Sequence, residues 1–258
     1  MSGPLLEVRG LGVDYRGVRA LGDVSFEIQT GETVGLVGES GSGKSTLARA
    51  LLRLIPASRG QVLWQGSDLL RCDPATLRSH RRDMQIVFQD PVASLNPRMT
   101  VAGTLAEPLR VFERSLSSRE RRLRTARMLE RVGLEESMLD RYPHELSGGQ
   151  CQRIGIARAM MLHPKLLVCD EPVSSLDVSI QGQIVNLLAD LQREFDTAML
   201  FISHNLAVVR HISHRVVVIQ EGNVIESGTC DALFAAPAHP YTRALLAAVP
   251  DPLGRWLP

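Results

Sequence analysis

The chain has 258 residues, 44% of them hydrophobic, and a net charge of +1 at pH 7, long enough for one or two domains with a full core. Such balance excludes nucleic acid as a partner held by a broad basic field, no apolar run reaches the ~18 residues that span a bilayer, and Met1-Ser2-Gly3-Pro4 opens no signal peptide. Four cysteines (Cys72, Cys151, Cys169, Cys230) lie far apart without a close pair, so neither a disulfide framework nor a zinc site is expected and the chain reads as cytosolic.

Residues 5–29 read as two strands around a break at Arg16-Gly17, because Leu11 to Tyr15 and Val24 to Ile28 alternate apolar and polar. Tyr15 falls at a strand end, where its ring could stack on a base. Thr33-Val34-Gly35-Leu36-Val37 is a third, β-prone run. It leads into Gly38-Glu39-Ser40-Gly41-Ser42-Gly43-Lys44-Ser45-Thr46 and then a helix-forming run from Leu47 to Leu52.

A strand, a glycine loop and a helix in that order are the context that the phosphate-loop pattern G-x-x-x-x-G-K-[ST] requires. Glycines let backbone N–H groups turn inward around phosphate oxygens, and the helix adds its positive N-terminal end. Lys44 reaches β- and γ-phosphates, and the Ser45 hydroxyl suits Mg²⁺. The four fixed positions arise by chance in roughly one chain in a hundred of this length, and the flanking strand and helix lower that figure. Lys44 and Lys165 are the chain's two lysines among many arginines. A point charge survives at this loop against the chain's own bias toward the planar guanidinium.

Gln61 to Trp64 is a further short strand. Met84-Gln85-Ile86-Val87-Phe88 is another and delivers Gln89 to its carboxyl end, stopped by Pro91; open α/β sheets place ligands at such ends. Residues 91–163 are helical in character. Leu123, Ala126, Leu129 and Val132 set the expected inner stripe of a helix within Leu116 to Leu134. Its arginines alternate with glutamates and read as a solvated face. Leu95, Met99 and Val101 lie on the proline-punctuated stretch after Gln89 and suggest a docking surface for a partner.

Ser147-Gly148-Gly149-Gln150 opens a helix through Ile154 and Ala157, with Ser147 as its N-cap and glycines leaving the end bare for an anion. Leu166 to Cys169 is a strand buried on both faces, and it exits into Asp170-Glu171-Pro172. Two carboxylates there are costly unless a cation or substrate uses them. Asp170 suits Mg²⁺ and Glu171 suits polarising a water that attacks the γ-phosphate. Asp177 ends a capped turn before a helix over 179–194. Ala198 to Ser203 is another buried strand with His204 at its end. Arg215–Gln220 and Asn223–Glu226 form a hairpin across Glu221-Gly222, and a helical tail runs from Tyr241 to Val249.

Together these stretches resemble the ATP-binding subunit of ABC transporters across essentially the whole chain. The resemblance implies an α/β phosphate-loop NTPase fold. Its core is mainly parallel sheet (1–90 and 164–228), with an antiparallel β subdomain and an inserted helical subdomain (91–163), making residues 1–228 the ATPase domain and 229–258 a short tail. It implies that Tyr15 stacks on adenine, that Gly38–Thr46 are the Walker A loop and that Gln89 is the Q-loop glutamine. Ser147, Gly148, Gly149 and Gln150 belong to the signature motif and Asp177 to the D-loop. Asp170 is the Walker B aspartate, Glu171 the catalytic base and His204 the switch histidine. Ser45, Gln89 and Asp170 are implied around Mg²⁺, and Lys44, Gln89, Glu171 and His204 in hydrolysis of ATP.

Val87-Phe88-Gln89-Asp90-Pro91, Ser94-Leu95-Asn96-Pro97-Arg98 and the tail His239-Pro240-Tyr241-Thr242-Arg243-Ala244-Leu245 look like the oligopeptide/dipeptide importer group. That group implies an ATPase peripheral to the cytoplasmic face of the membrane. It pairs with a second, homologous ATPase beneath two transmembrane permease subunits and is served by an extracytoplasmic solute-binding protein. An importer of nickel or glutathione is the alternative, and a non-transport ABC ATPase a more distant one. Asn205 stands where the group more often has aspartate. No cysteine cluster follows Pro252, so an iron–sulfur site of the kind some relatives carry is not expected.

Overall fold

The computed structural model describes residues 3–15 and 17–248. Arg16 of the expected strand break, the first two residues, and Val249 with the proline-rich stretch after it lie outside the described residues. The chain forms two compact units, Met1–Arg81 with Ala198–Pro258, and Arg82–Thr197.

The first unit opens with β1 (Leu6–Tyr15) and β2 (Val18–Ile28), antiparallel with Leu6 opposite Ile28 and Tyr15 opposite Val18. β3 (Thr33–Val37) is buried at all five positions, as a strand covered on both faces must be. Each aliphatic side chain removed from water there contributes about 1.5–3 kcal/mol. After the glycine loop come α1 (Lys44–Leu51), β4 (Arg59–Trp64), the two-residue β5 (Ser67–Asp68) and α2 (Pro74–His80). α2 starts where Asp73 accepts the Ala75 and Thr76 amides, the ordinary N-cap device.

The middle of the chain makes the second unit. β6 (Met84–Val87) pairs in parallel with β7 (Leu166–Asp170), and between them lie α3 (Val101–Phe112), α4 (Ser118–Arg131) and α5 (Gly148–Met160); α6 (Val178–Phe195) follows β7. α4 begins with a capping box between Ser117 and Glu120. Its buried residues are Thr125, Met128 and Leu129, continued by Val132, while Leu123 is 51% exposed. The expected stripe through Leu123 is therefore rotated. Thr125 sits inside because its hydroxyl donates to the Arg122 carbonyl at 2.8 Å, which leaves only its methyl to be packed.

The chain then returns to the first unit with β8 (Ala198–Ile202), α7 (Leu206–Ile212), β9 (Arg215–Gln220), β10 (Asn223–Thr229), α8 (Cys230–Ala235) and α9 (Pro240–Ala247). That unit holds an antiparallel sheet in the order β2-β1-β4-β5 and a strand set in the order β10-β9-β3-β8. β3 runs parallel to both β8 and β9, with Gly35 opposite Phe201 and Val216. β9 and β10 are joined as a hairpin, across a two-residue turn with φ 47° at Glu221 and 76° at Gly222. Two positive φ values are the mark of a type I′ turn, whose twist matches the strands it joins.

Candidate functional site

The first unit carries the glycine loop. It leaves the carboxyl end of β3 and closes on α1, whose N-cap is Gly43 at φ 101°. A side chain at Gly43 would meet the Ala20 carbonyl at 2.7 Å, and one at Gly38 would meet the Ile219 carbonyl at 2.2 Å. Glycine is needed at both places for space as well as conformation. The hairpin turn props the loop from behind: the Gly222 N–H donates to the Ser42 carbonyl at 3.1 Å, and the Gly22 N–H donates to the Gly222 carbonyl at 2.8 Å. Sequence periodicity marks that turn as a hairpin but gives no signal of what it supports.

Lys44 is the first residue of α1 and only 5% exposed. Its Nζ donates to the Gly38 carbonyl at 2.8 Å, the Glu39 carbonyl at 2.7 Å and, more weakly, the Ser42 hydroxyl at 3.4 Å. A buried ammonium folded onto its own loop is costly to hold without such acceptors, and it is placed to meet an anion cradled by that loop. Ser45 and Thr46 follow on the first turn of α1, and Glu39, Ser40 and Gly41 form the loop's exposed rim.

Two more of the expected residues lie in the first unit. Tyr15 is the last residue of β1 and 44% exposed. His204 is exposed and lies two residues past the end of β8, after the buried Ser203. The next residue, Asn205, accepts the Ala207 and Val208 amides at 3.1 and 3.4 Å as the N-cap of α7. Asparagine and aspartate cap equally well, so the N-cap function of this position does not depend on which of the two stands there.

The second unit carries the carboxylates. β7 is buried throughout and ends on Asp170, 2% exposed. Glu171 turns away from the strand with φ 47°, a left-handed conformation that costs an L-residue about 1–2 kcal/mol and that concentrates at functional positions. The Gln89 Nε2 donates to Glu171 Oε2 at 3.4 Å, and the Ser175 hydroxyl donates to the Gln89 carbonyl at 3.3 Å. Gln89, which follows β6, and Glu171, which follows β7, are thus brought together at neighbouring strand ends. A carboxylate so held can accept a proton from a water.

Ser147 caps α5 in a full capping box with Gln150, its hydroxyl accepting the Gln150 N–H at 3.2 Å while Gln150 Oε1 accepts the Ser147 N–H at 2.9 Å. Gly148 and Gly149 supply the bare first turn. A side chain on Gly149 would approach Ile180 at 3.1 Å, so the glycine also lets α5 lie close to α6. Asp177 is the N-cap residue of α6, but its side chain makes no capping bond; the expected capped turn is held instead by Ser174, whose hydroxyl donates to the Glu171 carbonyl at 3.1 Å. Arg158 of α5 donates to the Ser94 carbonyl at 2.8 Å. This link between the signature helix and the stretch after Gln89 has no trace in the sequence pattern.

The docking surface expected after Gln89 is smaller than its apolar residues suggest. Leu95 and Val101 are 4% and 2% exposed and belong to local packing; Met99 is half-buried and Val92 is 51% exposed. All four cysteines are free. Cys169 is fully buried in β7 and Cys151 in α5, and burial pushes both thiols up, away from the reactive thiolate.

Among the described residues no group of three His, Cys, Asp or Glu side chains could hold a metal by itself. The Ser45 hydroxyl and the Asp170 carboxylate, each in its own unit, are oxygen donors of the kind that suits a hard cation.

The ABC transporter family profile matches residues 21–174, and the profile of the oligopeptide/dipeptide transporter C-terminal region matches residues 225–257. The oligopeptide transport ATP-binding protein OppF of Escherichia coli is 55% identical over 235 residues, covering 91% of this chain and 70% of that protein. Its Haemophilus influenzae namesake is 49% identical over 261 residues, covering 96% and 79%. Among solved structures, the dimeric post-hydrolysis state of the ATP-binding cassette MJ0796, bound to ADP and Pi, has a TM-score of 0.80 at 30% identity and covers 87% of this chain and 98% of that one. The cbiO1 subunit of a Clostridium perfringens ABC transporter complex has the same TM-score and identity, with 90% of both chains covered. The chain belongs to the ABC transporter ATPases, in the branch of the oligopeptide transport ATP-binding proteins.

Proposed function

We propose that this ATPase powers the import of short peptides from the cytoplasmic face of the membrane, as a peripheral subunit. In this reading it pairs head to tail with a second, homologous ATPase beneath two transmembrane permease subunits, fed by an extracytoplasmic solute-binding protein. No helix among the described residues is long and apolar enough to cross a membrane, so the permease subunits supply the path for the solute. The observation that carries the peptide assignment is the 55% identity to an oligopeptide transport protein together with the match of the tail to the oligopeptide/dipeptide transporter C-terminal region. A nickel or glutathione importer has no comparable support.

The chemistry follows from the residues. Gly38–Thr46 cradle the phosphates with backbone N–H groups, and Lys44 lends its charge to the β- and γ-phosphates. Tyr15 stacks on the base. Bound through Ser45, Asp170 and Gln89, Mg²⁺ supplies neutralisation of the phosphate oxygens. Glu171 takes a proton from the attacking water as its oxygen bonds to the γ-phosphorus; the bond to the bridging oxygen breaks and its electron pair leaves with ADP. His204 meets the γ-phosphate. Ser147–Gln150 and Asp177 face the nucleotide held by the partner ATPase, so two chains complete each site.

Deleting the gene and following uptake of radiolabelled tripeptides, nickel and glutathione by whole cells tests the solute. Loss of tripeptide uptake alone is the expected result. Loss of nickel or glutathione uptake with tripeptide uptake intact contradicts the assignment.

A further inference from the structure

A hydroxyl of the tail reaches the phosphate loop. Tyr241, in α9, accepts the Glu39 N–H on its phenol oxygen at 3.0 Å. That N–H belongs to the same peptide as the Gly38 carbonyl, which accepts from Lys44 Nζ at 2.8 Å. A planar trans peptide presents its N–H and its carbonyl on opposite edges. The tail hydroxyl and the lysine ammonium therefore grip the two edges of a single peptide plane, and turning that plane breaks both bonds.

The seat of Tyr241 is built from β10 and the start of α9. Glu226 in β10 accepts the Ala238 and His239 amides at 2.8 and 3.0 Å. His239 Nδ1 then accepts the Tyr241 N–H at 3.2 Å as the N-cap of α9, and Arg243 donates to the Ala238 carbonyl at 2.8 Å. Thr242 and Leu246 are 1% and 3% exposed and anchor the helix. Burial raises the Tyr241 phenol, which keeps it a neutral acceptor near pH 7.

We propose that Tyr241 is a positioning residue for the phosphate loop: it sets the Gly38–Glu39 peptide, and through it Lys44, so that seating of the tail and affinity for ATP are coupled. The proposal rests on the reading of Gly38–Thr46 as the phosphate loop. With the peptide fixed, Lys44 waits in one place; with the peptide free, part of the binding energy goes into ordering it.

The test compares full-length wild type, Tyr241→Phe and Lys44→Ala, with ATP and Mg²⁺ as the probe. Tyr241→Phe keeps the ring and removes only the hydroxyl, so its melting temperature should stay within a few degrees. Its Glu39 amide should exchange hydrogen faster, its affinity for ATP should fall about 2- to 10-fold, the span of one neutral hydrogen bond, and its kcat at saturating ATP should hold. A loss confined to KM separates positioning from damage to the reaction. Unchanged affinity in Tyr241→Phe, beside lost binding in Lys44→Ala, overturns the proposal and leaves Tyr241 as tail packing alone. Wild-type binding in Lys44→Ala overturns the loop reading itself, and the proposal with it.

Discussion

The Gln89 amide donates to the Glu171 carboxylate at 3.4 Å, joining two residues 82 positions apart in the chain. The bond is long and its donor exposed, so it orients the carboxylate more than it stabilises the fold. Gln89→Ala should lower single-turnover ATP hydrolysis about 2- to 10-fold, as expected for one weak hydrogen bond, and leave the melting temperature unchanged. Chemical quench at saturating ATP, beside a thermal melt, checks both halves. A large fall in melting temperature would assign the pair a structural role instead.

Leu95 and Met99 should part company on mutation. Leu95 is 4% exposed, and Leu95→Ala should cost about 2–5 kcal/mol of stability by leaving a cavity. Met99 is half-buried. Met99→Glu should leave the fold and the basal ATPase close to wild type but reduce ATP-driven transport in membrane vesicles carrying the full complex. Denaturant titration and peptide uptake read the two effects. Full uptake with Met99→Glu would place permease contact elsewhere.

Acid should loosen the seat of the tail. Burial pushes the Glu226 carboxyl up, but the hydrogen bonds it accepts and the neighbouring His239 outweigh this and hold it below the ordinary glutamate range. A carboxyl lowered by folding stabilises the folded state above its unfolded pKa, about 4.3, and that contribution is lost as pH falls through the lower, folded value. Wild type should melt higher than Glu226→Gln at pH 6, with the gap closing below about pH 4. A gap that stays constant from pH 6 to pH 3.5 would contradict the ionised seat.

Much of this was legible in the chain. Alternation marked β1 and continuous apolar runs marked β3, β7 and β8; the run Gly38–Thr46 marked the loop; Ser147 and Gln150 marked the start of α5. These are local signals, set by neighbours in sequence. What stayed hidden depends on tertiary contact: the left-handed Glu171, the turn at Gly222 behind Ser42, the Arg158 link to Ser94 and the Tyr241 link to Glu39. Apolar residues also misled where side must be inferred. Leu95 and Val101 read as surface on a loop and are core, and Leu123 reads as core on a helix and is exposed, because periodicity gives spacing but the angle of a face is fixed by what packs against it.

The central claim, that Lys44 binds the nucleotide and Glu171 drives its hydrolysis, is tested most directly by measuring Mg-ATP affinity and single-turnover hydrolysis on wild type, Lys44→Ala and Glu171→Gln together. Lys44→Ala should lose binding. Glu171→Gln should bind as wild type yet hydrolyse about 10²–10⁴ times more slowly, the usual contribution of a general base. Hydrolysis at the wild-type rate by Glu171→Gln would contradict the account.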